Sequence, residues 1–347
     1  MSIINKAQIE SGVLNMLKVN MGVRPGESIL VVGDPPAFPN WSAMGSDELE
    51  RMLERSLLAK AVAEIAAAQL PENRVEFYAY PAVARSGAEP IAELGERMAS
   101  ADVVIAITNR SLSHTDARQN ACLAGARIAS MPGFSVRMFE PNGPMNADYR
   151  EIERISLPVA RRLTQATEAG VSSPAGTNIR MSLAGREAIA DSGLFVTKGS
   201  FGNLPAGESF IAPLEGTAEG QLVVEPGWAR GLTELMTVRF HAGLVSEVVG
   251  GGAVGDNLRR MLGFSGGEVV MERRNLAELG VGTNAQARPG ESLVETEKVM
   301  GTVHIAVGDN AHIGGAVTAD LHMDFVLPHT VLVLDGETVM ADGKLLI

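Results

Sequence analysis

Short strand-like runs alternating with helix-length amphipathic segments fix what the first half of this chain can become. Residues 28–33, 75–80 and 102–108 have the length and composition of strands, and 28–33 and 102–108 have the apolar density of buried ones. Residues 3–20, 47–68, 90–100 and 146–168 carry helical periodicity; Ser46 reads as the cap of the second segment, and Pro90 sits near the start of the third. Such alternation predicts a parallel sheet flanked by helices on both faces. Near residue 170 the texture changes. Glycine becomes dense, helices become scarce, and short strands recur at 178–183, 221–224, 237–241, 244–249, 304–307, 321–326 and 330–334, with one helix around 255–263. The expected fold is an α/β domain over 1–168 followed by a mainly β domain over 169–347.

Composition narrows the function. Hydrophobic residues make up 46% of the 347 and charged residues 20%, enough for a sizeable core. A net charge of −12 argues against nucleic acid or an anionic membrane as partner, because both demand a basic face. The single cysteine, Cys122, leaves no intramolecular disulfide and no cysteine zinc cluster. Any metal must therefore be held by His, Asp and Glu. The first twenty residues mix charged and apolar side chains without the apolar core of a signal peptide, and no run approaches the ~18 apolar residues of a spanning helix. The expected location is the cytoplasm.

Four of the six histidines fall in the last 44 residues. In a strand, alternate side chains share a face. His322 and Asp324 therefore project together, with Leu321, Met323 and Phe325 on the opposite, core face. One strand earlier, His304 and Ala306 face away from Val303, Ile305 and Val307. A buried carboxylate needs a cation, and there is no Lys or Arg between 304 and 343. A metal ion is one candidate counter-charge; core or interface histidines satisfied by backbone groups are the other reading, and the residues alone leave the two level. Glu208, in a turn-rich stretch leading into a strand, and Glu278, among small and apolar residues, can complete such a site or stand as solvated loop carboxylates.

Other signals carry less. The 250–255 glycine run lacks the Lys of a phosphate loop and reads as a turn in the β domain. Ser113, His114 and Asp116 lie too close in sequence to orient one another as a catalytic triad; Thr115 or Ser113 capping the following helix accounts for them.

Taken in order, the segments at 202–208 (GNLPAGE), 277–284 (AELGVGTN) and 303–308 (VHIAVG), then Gly314-Gly315 and His322-Met323-Asp324, resemble the metal-binding core of the aminopeptidase T/aminopeptidase S family of metallopeptidases. Segments 111–115 and 125–133 resemble its α/β domain. The resemblance implies five ligands, Glu208, Glu278, His304, His322 and Asp324, holding two divalent ions (Zn, Co or Mn). It also implies a homodimer acting on a peptide or small aminoacyl substrate. A metal-bound hydroxide would attack the N-terminal peptide bond, with Glu208 or Glu278 as general base. The family's tyrosine between the two histidine strands has no counterpart, since no tyrosine follows Tyr149. His312 is the obvious polar residue in its place, with Asp309 and Asn310 as further candidates.

The dihydroxypyridine ring-cleaving dioxygenases resemble the chain as a sister group. They use one Fe(II) held by two histidines and a carboxylate and keep the His-x-Asp pair. As that resemblance runs, they have histidine where this chain has Glu278 and lack counterparts of Glu208 and His304. The retained glutamates favour the dinuclear metallo-aminopeptidase. The mononuclear dioxygenase, or a non-peptidase amidohydrolase, is the alternative.

Overall fold

The computed structural model describes residues 4–266, 269–290 and 292–347. The first expected helix begins at residue 3, outside this range. From residue 6 it is an α-helix, α1 (Lys6–Asn15), that widens into a π turn over Met16–Asn20. Then follow β1 (Ser28–Gly33), α2 (Ser46–Gln69), β2 (Arg74–Ala79), α3 (Ala92–Ala99), β3 (Val103–Ala106), α4 (Asp116–Ala124), β4 (Arg127–Ser130) and α5 (Tyr149–Gln165). Ser46 is the first residue of α2 and Gly45 its cap, one residue from expectation. Thr115 does cap α4, its hydroxyl accepting from the Arg118 N–H.

Beyond α5 the chain is mostly strand. The strands are β5 (Glu168–Ser172), β6 (Asn178–Ser182), β7 (Ile189–Asp191), β8 (Phe201–Asn203), β9 (Glu208–Ile211), β10 (Glu219–Val224), β11 (Met236–His241) and β12 (Leu244–Gly250). After α6 (Gly252–Met261) come β13 (Leu276–Gly282), the single-turn α7 (Leu293–Thr296), β14 (Val303–Gly308), β15 (His322–Leu327), β16 (Val331–Leu334), β17 (Glu337–Ala341) and β18 (Lys344–Leu345). The glycine run at 250–255, read as a turn, instead joins two elements: Gly250 ends β12, Gly251 is the cap and Gly252 begins α6. Gly251 adopts a left-handed conformation and leads directly into α6, three residues earlier than the helix read from sequence.

Two compact units are distinguishable: Met1–Tyr149 with Gly193–Ala206, and Arg150–Ser192 with Gly207–Ile347. The change of texture near residue 170 thus falls inside the second unit, and a short segment carrying β8 returns to the first. The first unit holds a wholly parallel sheet in the order β2-β1-β3-β4-β8. One face carries Leu30, Val32, Val104 and Ile128 against Leu94 and Met98 of α3 and Ala121 of α4. The other is met by α2, where Gly33 lets the backbone approach Ala59 closely. A sheet covered on both faces explains the unbroken apolar runs.

The second unit contains two antiparallel sheets. One has eight strands, β12-β11-β10-β6-β5-β16-β17-β18; the other has five, β15-β14-β13-β9-β7. They share one core, with Val171, Ile179, Leu222, Val238 and Leu332 from the larger sheet and Leu279, Val281, Ile305, Val307 and Phe325 from the smaller. Each such side chain contributes about 1.5–3 kcal/mol of burial. This anchors one face of β13, β14 and β15 and leaves the other to carry polar groups. Among the described residues, no helix is long and apolar enough to cross a membrane.

Candidate metal centre

The register of the five-stranded sheet assembles the site. Ala306 on β14 pairs with Glu278 on β13 on one side and Asp324 on β15 on the other. One step along, His304 pairs with Gly280, and Gly308 pairs with His322. On the far side of β13, Gly282 pairs with Glu208 of β9. The acidic and imidazole side chains thus stand together around small residues, and the His304 ring takes the space over Gly280 that a larger residue would fill. Gly280 is held to glycine by this geometry. A Cβ there would lie 1.9 Å from Nε2 of the fully buried His304. Gly280→Ala is expected to push the His304 ring aside and break its contacts to both glutamates. A crystal structure of the variant with the ring undisplaced would refute this account.

All five residues expected from sequence meet here. His304 Nε2 lies 3.2 Å from Glu278 Oε1 and 3.2 Å from Glu208 Oε2. His322 Nε2 lies 3.4 Å from Glu278 Oε2 and 3.6 Å from Asp324 Oδ1. Two overlapping three-donor groups result, Glu208/Glu278/His304 and Glu278/His322/Asp324, each with its ligand atoms within 4.8 Å of one another. Glu278 belongs to both, and it is no loop carboxylate. It is buried on a strand, beside a bulge between Leu276 and Glu278.

Asp309 organises the histidines. Its backbone carbonyl accepts from His322 Nδ1 at 2.8 Å, which leaves His322 Nε2 facing the acids. This is the outer-shell arrangement that orients a metal-binding imidazole. The Asp309 carboxylate pairs with His312 Nδ1 and accepts from the Ala319 N–H. The His312 ring stands edge-on to that of His322, centroids 5.3 Å apart. His312 therefore flanks the centre. Asn310 does not: it is buried, donates to Glu215 at 2.9 Å and accepts from the Val317 N–H, so it shapes the loop instead.

One partner was invisible in the sequence scan, which looked for cations only after residue 304. Lys298 is buried, with Nζ 2.5 Å from Glu208 Oε1 and 2.7 Å from Glu297 Oε1. A lysine just upstream of the histidine strand gave no signal of burial.

The electrostatics show a surplus of negative charge. Burial raises the Glu278 carboxyl, but His304 and His322 outweigh it and hold the group down at about 2. Burial lowers His322, but Asp324 and Glu278 push it up to about 12. His304 is likewise driven well above its usual value by Glu208 and Glu278 against desolvation. Glu297 goes the other way. Burial, joined by the charges of Asp324 and Glu208, raises it to about 8 despite Lys298. Imidazoles forced to keep their protons by clustered carboxylates mark a place where a divalent cation can replace those protons.

The pH consequence follows in sign. With its pKa raised to about 12, His322 is protonated at neutral pH and must lose that proton to offer Nε2. Metal loading is expected to release about one proton per ion and to weaken as pH falls. Titration calorimetry in buffers of different ionisation enthalpy measures this, and a buffer-independent enthalpy at pH 7 would contradict it.

A histidine–carboxylate centre on an antiparallel sheet, in a chain that also carries an α/β unit, defines a candidate metalloenzyme. The family model described as NicX, 2,5-dihydroxypyridine 5,6-dioxygenase, matches residues 22–347, and the chain belongs to that family. A curated relative, the 2,5-dihydroxypyridine 5,6-dioxygenase of Pseudomonas putida, is 24% identical over 261 residues, spanning 70% of this chain and 71% of the relative. Among solved structures, the 2,5-dihydroxypyridine dioxygenase from Pseudomonas putida superposes with a TM-score of 0.76 at 19% identity, covering 99% of this chain and 98% of that one. Wild-type AmpT from Thermus thermophilus gives 0.62 at 15% identity, covering 99% and 100%. At such identities these two likenesses concern the fold, an α/β unit followed by antiparallel sheets.

The family match overturns the expectation of a metallo-aminopeptidase. The chain sits with oxidoreductases, and the hydrolase and protease readings fall. The retained glutamates had pointed to a peptidase, and the ligand set alone was a poorer guide than the similarity of the whole chain.

Proposed function

We propose that the protein is a metal-dependent, ring-cleaving dioxygenase acting on a hydroxylated pyridine of the 2,5-dihydroxypyridine class, with iron(II) held by Glu278, His322 and Asp324. The observation that carries the reading is the convergence of these three donors in a family of 2,5-dihydroxypyridine dioxygenases. The donor set suits the ion. Three oxygen and imidazole ligands leave coordination positions open, as in the histidine–carboxylate triads of non-haem iron oxygenases. Here one histidine and two carboxylates replace the two histidines and one carboxylate that the resemblance implied, a harder and more negative set.

When bound, the ion would supply a place where O₂ and the hydroxylated ring are held side by side. The chain's own residues do the rest. The Asp309 carbonyl fixes the His322 ring so that Nε2 points at the centre. Glu278 has His304 Nε2 3.2 Å from its Oε1, a contact that holds the carboxylate in place. His312, tied at Nδ1 to Asp309 and edge-on to His322, is placed to take or return the proton of a ring hydroxyl at Nε2. The apolar face of β14 and β15, packed in the core, keeps the strands that carry the donors rigid.

Loading the protein anaerobically with Fe(II) and adding 2,5-dihydroxypyridine in air tests this. One O₂ is expected to disappear per ring opened, with both atoms of ¹⁸O₂ in the product. Absence of O₂ uptake by the iron-loaded protein would sink the reading. His312→Ala is expected to lower kcat by ~10²-fold while metal content is unchanged, the usual scale for a positioned acid–base group. Unchanged kcat would remove His312 from the chemistry.

A further inference from the structure

Two three-donor groups overlap at Glu278, and side chains arranged in this way suit two ions sharing one carboxylate. The half that contains Glu208 is already occupied by a cation of the protein's own. We propose that Lys298 is a resident counter-ion that holds the place of a second metal beside Glu208, so that the centre takes one ion. The inference rests on the metal-centre reading above.

Its geometry is that of a built site. The Lys298 ammonium contacts Glu208 Oε1 at 2.5 Å and Glu297 Oε1 at 2.7 Å, and the side chain is only 2% exposed. The backbone beneath it is tied at both ends, with the Lys298 N–H donating to the Glu295 carbonyl at 3.0 Å and its carbonyl accepting from the Asn284 N–H at 2.9 Å. The lysine is therefore not a surface chain that has folded inward. An ammonium at contact distance uses one of the two Glu208 oxygens and repels a divalent ion approaching the other, in a setting where charges are little screened. His304 Nε2 lies 3.2 Å from both Glu208 and Glu278, a third donor for a second ion once the ammonium is gone. At the other group no protein ammonium touches His322 or Asp324 among the described contacts, and that half stays available.

Counting ions tests the proposal without reference to activity. Protein loaded anaerobically with excess Mn(II), then freed of unbound metal, is analysed for metal per chain. The wild type is expected to hold one ion, Lys298→Met two, and the double variant Lys298→Met/Glu208→Gln one. Anomalous scattering from the Mn(II)-loaded Lys298→Met crystal should show its second peak beside Glu208 and His304. Lys298→Gln keeps donors to both carboxylates without the charge. It carries the same expectation of two ions and covers the case in which Lys298→Met does not fold. Two ions in the wild type, or one ion in a folded neutral variant, overturns the proposal. A wild type that binds none overturns the metal-centre reading itself, and the proposal with it.

Discussion

Asp324→Ala and His322→Ala are each expected to lose bound metal, and the proposed ring-cleaving activity to fall to background. Each change removes one of three donors, so the loss of affinity exceeds the ~10–100-fold that deleting an outer-shell partner costs. The fold should persist. Both side chains sit on the polar face of β15, while Phe325 and Leu327 on its other face remain packed in the shared core. Metal analysis after loading, an oxygen electrode and far-UV circular dichroism together check the outcome. A folded variant that keeps its ion with wild-type affinity would move the centre elsewhere. Asp309 offers a graded contrast, since it acts on His322 through a backbone carbonyl that side-chain substitution leaves in place.

Lys298→Met, studied without metal, is expected to lose about 3–5 kcal/mol of stability, the usual cost of removing one partner from a buried ion pair. Glu208 and Glu297 would be left facing each other with no ammonium between them. The sign is fixed by what remains: two buried carboxyls, of which one must take a proton or draw in water. Lys298→Met/Glu208→Gln should recover part of the loss, because the charge is then removed from both sides. Urea unfolding of the metal-free proteins measures the difference. A midpoint unchanged from wild type would mean that the pair contributes nothing and that its carboxylates are satisfied by other means.

The histidine strands were legible because their alternation is strict. His304 and Ala306 oppose Val303, Ile305 and Val307, and His322 and Asp324 oppose Phe325, as the pairing of β14 with β15 bears out. The strand that carries Glu278 was not legible, because its glycines resemble a loop. In the folded protein Gly280 is glycine because the His304 ring occupies the space a Cβ would take, and Gly282 because the Val299 carbonyl does. Crowding and flexibility leave the same mark in a sequence. The return of β8 to the parallel sheet escaped notice for a related reason: three residues, Phe201–Asn203, are too few to show a period. Lys298 could not be found by scanning outward from the histidines, since its role depends on a carboxylate ninety residues earlier in the chain.

The centre also has a bearing on how the chain reaches its native state. Glu208, Glu278, His304 and His322 come from four different strands, and only His322 and Asp324 are neighbours in sequence. An unfolded chain therefore has almost nothing with which to capture an ion. The ligand set, Glu278 with His322 and Asp324, exists only once β13, β14 and β15 have paired in register. Metal added during refolding should not seed the sheet. It should act as a latch on the finished one, raising the unfolding temperature by an amount set by its free concentration relative to Kd and leaving the early folding rate untouched.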